Sequence, residues 1–220
     1  MDKLLQVVKE RIGKPMEPFI IGVSGHGAAG KTTFTNKLVN LLGENKVNYL
    51  NTDPYIISSN VRQHTKIDYT YDNEPHRYKM TACHPAAHHV TSLKRDILMI
   101  RNGLELFTIG THYMESERVS PNKKITIVEG MSVAFVDSSL FDVTIYFYTD
   151  GETEFQRRTS RDTVERGTTI EYLRQSHVER RAQYEIFMHP SSQNFDIIVK
   201  TVNDQILIER KNIVKNSRQT

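Results

Sequence analysis

Residues 19 to 33 read Phe19-Ile20-Ile21-Gly22-Val23-Ser24-Gly25-His26-Gly27-Ala28-Ala29-Gly30-Lys31-Thr32-Thr33. A short apolar, β-branched run leads into a glycine-rich bend, and a helix-forming segment follows. Gly25, Gly30, Lys31 and Thr32 complete the pattern G-x-x-x-x-G-K-[ST], the phosphate-binding loop or Walker A motif, with a strand before it and a helix after it. Small residues let backbone N–H groups curl around a polyphosphate, so His26, Gly27, Ala28, Ala29 and Thr33 join the candidate binding set. The helix that starts near Gly30 aims its unsatisfied N–H groups and positive dipole end at the same place. Lys31 can reach the β- and γ-phosphate oxygens, and the Thr32 hydroxyl can ligate Mg²⁺. The loop implies a bound nucleoside triphosphate. It does not say which reaction follows.

The chain is 220 residues long, enough for one domain with an inserted flap and a sizeable core. A net charge of +3 suits an anionic substrate, but the basic residues are not massed in a block that would hold nucleic acid. Cys83 is the lone cysteine, which excludes an internal disulfide and suits a reducing compartment. No apolar run has the length of a membrane span, and the N-terminal residues lack a signal-peptide core. These features predict a cytoplasmic protein with no membrane partner. A homo-oligomer is left open.

Along the chain, residues 2–13 are expected to form an amphipathic helix burying Leu4, Leu5, Val8 and Ile12 and stopping at Gly13. After the loop, a helix over 31–42 is expected to bury Phe34, Leu38, Leu41 and Leu42. Val47 to Leu50 reads as a strand that ends at Asp53-Pro54-Tyr55. Ligands gather at the carboxyl ends of strands in open α/β sheets. Asp53 is therefore either a carboxylate facing the γ-phosphate or a turn aspartate before proline. Residues 56–85 read as a polar, irregular loop. Pro85 is expected to open a helix to Asn102 with Val90, Leu93, Ile97 and Ile100 on its buried face. Residues 104–109 look strand-like.

Ile125 to Gly130 is the best candidate for a central strand. Glu129 at its end can hold Mg²⁺ or its water, or can be a solvent-facing strand-end charge. A strand over 141–148 and a basic helix with Arg157, Arg158, Arg161 and Arg166 follow. Those arginines form either a solvated face of i,i+4 pairs or a lid over the transferred phosphoryl group. A helix over 170–187, a strand over 195–199 and a peripheral helix or strand over 205–214 complete the chain. The alternation argues an α/β fold with a mainly parallel sheet and helices on both faces.

Taken together, the loop, Asp53-Pro54-Tyr55, His84-Pro85, Val128-Glu129-Gly130, the Arg157 to Gly167 segment and Gln175 resemble the uridine kinase and phosphoribulokinase-like family of P-loop kinases. The resemblance covers residues 19–200. It implies a P-loop NTPase-type sandwich with a five-stranded parallel core, a substrate flap over about 56–124 and an arginine lid over about 155–180. It further implies ATP and Mg²⁺, and a small-molecule hydroxyl acceptor. By that resemblance Asp53 matches a general base, Glu129 an acid near the metal, and Arg161 and Arg166 lid arginines. The departures fall in the acceptor half. Cys83 stands where uridine kinases carry a ribose-binding aspartate, Ile109-Gly110 where they carry a Tyr-Asp pair, and Thr168 where an arginine follows the Glu-Arg-Gly.

Two other readings fit the sequence. A regulatory module would bind nucleotide without phosphorylating a small molecule. A metal site would draw on Cys83, His84, His88 and His89 with His64, His76 and His112, although no zinc spacing is met.

Overall fold

The computed structural model describes residues 1–203 and 205–211, apart from the side chains of Glu165 and Arg166. Its main sheet has six strands among the described residues, in the spatial order β10-β9-β8-β1-β7-β2. They are β1 (Phe19–Gly25), β2 (Val47–Asn51), β7 (Ile125–Glu129), β8 (Val143–Tyr148), β9 (Ile197–Val202) and β10 (Gln205–Lys211). Five of them run parallel, and β10 adds an antiparallel edge to β9. The expected five parallel strands are present, and the peripheral segment after residue 204 is a strand. Residues 212–214 of that expectation lie outside the described residues.

The sheet separates two apolar layers because successive side chains of a strand point to opposite faces. On one face Ile21, Val23, Ile127, Ile145 and Phe147 meet α1 (Asp2–Ile12) and α2 (Lys31–Leu42). On the other, Ile20, Leu50, Val128 and Tyr146 meet α4 (Val90–Arg101) through Leu93, Ile97 and Ile100. Phe34 and Leu38 of α2 are fully buried as expected, but Leu41 is 41% exposed and turns to solvent. The far end of the sheet is closed by Arg101, whose guanidinium donates to Pro18 O, Asp142 Oδ2 and Leu140 O at 2.7–2.8 Å.

The segment between β2 and β7 is more ordered than its sequence suggests. A short α3 (Ser59–Arg62) precedes an antiparallel hairpin of β3 (Lys66–Tyr71) and β4 (Glu74–Lys79). Asp72 and Asn73 form its two-residue turn with φ of 51° and 64°, the left-handed geometry that matches strand twist. The strand-like stretch at 104–109 reduces to β5 (Leu106–Phe107), paired with β6 (Arg118–Val119).

Pro85 opens only a 3₁₀ turn, Pro85–Ala87, and α4 begins at Val90. His88 interrupts the two in an extended conformation. Its Nε2–H donates to Ala82 O at 2.8 Å, and Nδ1 lies 2.8 Å from the Ser132 hydroxyl. A helix through this residue would break both bonds. After β8, α5 (Gly151–Arg166) and α6 (Ile170–Gln183) follow, and α6 ends in a π turn, Tyr184–Met188. No described helix is long and apolar enough to cross a membrane.

The hairpin is fastened to α6 rather than to the sheet. The fully buried Gln183 accepts from Thr81 N and Thr81 Oγ1 and donates to Lys79 O and Tyr69 OH. Tyr69 OH also donates to Glu179, and Tyr71 OH donates to Glu185 at 2.6 Å.

Gly25 ends β1 at φ 138°, and an added Cβ would lie 1.9 Å from Phe147 O. Gly25→Ala should therefore cost about 3 kcal/mol or more, against about 1 kcal/mol for Gly103→Ala, where the space is open. Comparing the two in urea titrations checks this. Burial holds His88 at a pKa of about 4, below its ordinary 6.5. The unfolded chain then binds more protons between these values. The stability tied to neutral His88 is complete above pH 6.5 and is lost as pH falls toward 4. Melting temperature should drop across that window, and less steeply in His88→Asn.

Candidate active site

An open cleft of about 1080 Å³ lies at the carboxyl ends of the parallel strands. The phosphate-binding loop forms its floor with Gly27, Ala28, Gly30, Lys31, Thr32 and Thr33. Gly30 caps α2 at φ 95°, and Ala28 also lies at positive φ, 64°. This backbone path points the first N–H groups of α2, which have no carbonyl one turn back, toward the cleft. Gly25, His26 and Ala29 are buried behind the floor.

His26 differs from the expectation that it faces the anion with its neighbours. Thr149 N–H donates to its Nε2 at 3.0 Å, so the proton sits on Nδ1 and is donated to Gly27 O at 2.8 Å. Burial lowers its pKa to about 4 and keeps it neutral. The ring edge packs on Tyr184, and Nδ1 lies 3.5 Å from Glu154 on α5. Glu154 lies 3.4 Å from Arg181 on α6, so the loop is tied to both helices that follow β8. Arg157 holds the other side of the loop, donating to Ala28 O at 3.2 Å and to Thr201 Oγ1 at 2.9 Å.

Lys31 is buried and donates to His26 O at 3.0 Å, which holds its chain over the loop. Burial pushes its ammonium below the ordinary lysine value, against the pull of Glu129 and Asp53. Glu129, only 4% exposed, is not a solvent-facing charge. It accepts from Thr32 Oγ1 at 3.2 Å and from Tyr49 OH at 2.7 Å. Gly130 beside it has φ 143°, and a Cβ there would meet Thr52 Oγ1 at 2.0 Å, so the turn that presents Glu129 needs glycine.

Asp53 is exposed at the cleft mouth, two residues past the end of β2 and next to the buried Thr52, with its N–H donating to Asn51 Oδ1 at 2.8 Å. Arg161 lines the opposite wall and donates to Asp162 at 2.8 Å. The structure thus brings Lys31, Thr32, Asp53, Glu129 and Arg161 to one cleft. The Arg166 side chain lies outside the described residues. Arg62 and Arg180 also line the cleft. No motif flags them, since each reaches it through tertiary placement.

The histidine-rich stretch makes no metal cluster among the described residues. His84 accepts from Ala86 N, and His88 is taken up by Ala82 and Ser132. Cys83 is buried in the core.

A family model described as the Phosphoribulokinase / Uridine kinase family matches residues 20–207. A uridine kinase from Deinococcus deserti is 29% identical over 195 residues, covering 84% of this chain and 88% of that one. A uridine kinase from Staphylococcus epidermidis is 30% identical over 190 residues, covering 82% and 86%. Among solved structures, phosphoribulokinase from Rhodobacter spheroides superposes with a TM-score of 0.57 at 15% identity, covering 84% of this chain and 70% of that one, a likeness of fold. With the loop, the strand-end acid and the arginines in one cleft, the chain belongs to the phosphoribulokinase / uridine kinase family and is a small-molecule kinase with a hydroxyl acceptor.

Proposed function

We propose that the chain is a single kinase domain, cytoplasmic, that moves the γ-phosphoryl group of ATP to a hydroxyl of a nucleoside or similar small metabolite. The observation that carries the reading is the convergence of Lys31, Thr32, Asp53, Glu129 and Arg161 on one cleft over a helix N-terminus.

The donor set suits Mg²⁺. Thr32 Oγ1 and Glu129 Oε2 are hard oxygen ligands 3.2 Å apart beside the loop. The chemistry the cation supplies is neutralisation of charge on the phosphate oxygens. Gly27, Ala28 and Gly30 to Thr33 offer backbone N–H groups to the phosphates, with His26 acting through the loop's position rather than by contact. Lys31 brings a buried positive charge to the transferring group, where low dielectric strengthens it. Arg161 closes over that group as a lid. Asp53 accepts or orients the acceptor's hydroxyl proton. Its place at the mouth lets an incoming alcohol reach it, and most of the catalysis is positioning and electrostatics.

Lys31→Ala should lower kcat/KM by about a hundredfold to a thousandfold, the scale of a lost charge-stabilising donor. Asp53→Asn should cut kcat by about 10² to 10⁴ while leaving the melting temperature near wild type, because Asp53 is exposed. Coupled-assay turnover with ATP, Mg²⁺ and a panel of nucleosides, sugars and their derivatives reads both. Full activity in Asp53→Asn would remove it as the base.

A further inference from the structure

The acceptor side of the cleft carries two cations that the phosphoryl-transfer scheme does not use. Arg62 closes α3, and its Nε–H donates to Ile57 O at 2.7 Å and an Nη1–H to Met80 O at 3.2 Å. Both acceptors are neutral carbonyls. They hold the guanidinium in place and leave three of its five donors. Arg180 comes from the facing helix α6. Its Nη2 lies 3.8 Å from where a Cβ on Gly27 would be, and its Nε is buried with no hydrogen-bond partner. Among the described residues neither guanidinium is ion-paired with a carboxylate. Glu154, which feels the charge of Arg180, is shared with His26, Arg158 and Arg181.

These two cations feel each other. Burial and then the charge of Arg180 hold Arg62 below its ordinary pKa. Two half-buried like charges in one cleft destabilise it unless something negative lies between them. The acids lining the cleft are Asp53 and Glu129, and Glu129 is taken up by Thr32 and Tyr49. Arg180 stands beside the phosphate-binding loop at Gly27. Arg62 stands further out, on the wall that carries Ile56, Ile57 and Ser58. An anion held between them would belong to the molecule that receives the phosphoryl group. Cys83 is only 2% exposed and packed in the core, so it offers an uncharged acceptor no contact.

We propose that the acceptor is itself anionic, a hydroxy compound whose phosphate or carboxylate is gripped by Arg62 and Arg180. This rests on the kinase reading and narrows its substrate class. A guanidinium pair of this kind suits the planar or tetrahedral oxygens of such a group.

The test has two arms. In the first, the melting temperature of the full chain is followed with Mg²⁺ and a non-hydrolysable ATP analogue, then with inorganic phosphate added at constant ionic strength. A further rise with phosphate that is lost in Arg62→Gln and in Arg180→Gln supports the anion site. Arg180→Gln leaves the flap contacts of Arg62 in place, and Arg62→Lys should retain part of the rise. No phosphate rise, or one unchanged in both glutamine variants, overturns the proposal. In the second arm, turnover is compared within matched pairs, a pentose phosphate against the free pentose and glycerate against glycerol, with uridine alongside. The charged member should be preferred, and Arg62→Gln should raise its KM by about tenfold to a hundredfold, the scale of a lost charge-assisted bond, without moving KM for the neutral one. Whichever charged pair responds identifies phosphate or carboxylate. Preference for uridine or a free sugar overturns the proposal and leaves the kinase reading standing. No response to the nucleotide analogue itself would remove both.

Discussion

The site depends on one neutral imidazole. His26 can accept from Thr149 N–H only while its Nε2 is bare, and that bond seats the phosphate-binding loop against the end of β8. From the same ring the chain of contacts runs to Glu154 and Arg181, one on each helix that follows. A buried ionic cluster of this kind adds little net stability, but removing one member strands a charge at about 3–5 kcal/mol. Its value here is geometric. The floor of the cleft and the two helices that carry Arg161 and Arg180 share one anchor, so the arginines are placed relative to the phosphate-binding loop and not merely near it.

Where local chemistry alone decides the structure, the sequence is readable. The β-branched run at 19–23, the glycines at 25 and 30 and the helix behind them predict β1, the loop and α2. Ile125 to Glu129 reads as a central strand because it is apolar throughout, and it lies between β1 and β2. Asp53 and Glu129 could be placed as strand-end acids, but not oriented. Burial of Glu129 comes from the partners Tyr49 and Thr32, which no spacing rule joins to it.

Most of the unread parts have a common cause: they are fixed by polar contacts that no local pattern encodes. The hairpin over 66–79 has no apolar stripe, because it docks on α6 through tyrosine hydroxyls, His76 and Gln183. Pro85 misleads because the His88 ring has two partners that require an extended backbone there. Leu41 misleads in the other direction, since an apolar residue beside a true core stripe need not be covered. Arg62 and Arg180 carry no signature at all, as their meaning comes from being across a cleft from each other.

Gln183 has a consequence for exchanging segments between such enzymes. Its four hydrogen bonds link the hairpin, and Thr81 just after it, to a helix more than a hundred residues downstream. Grafting the flap of a relative onto this chain without its matching helix would strand a buried amide and the groups that face it. A chimera that exchanges 66–81 should therefore carry 170–183 with it.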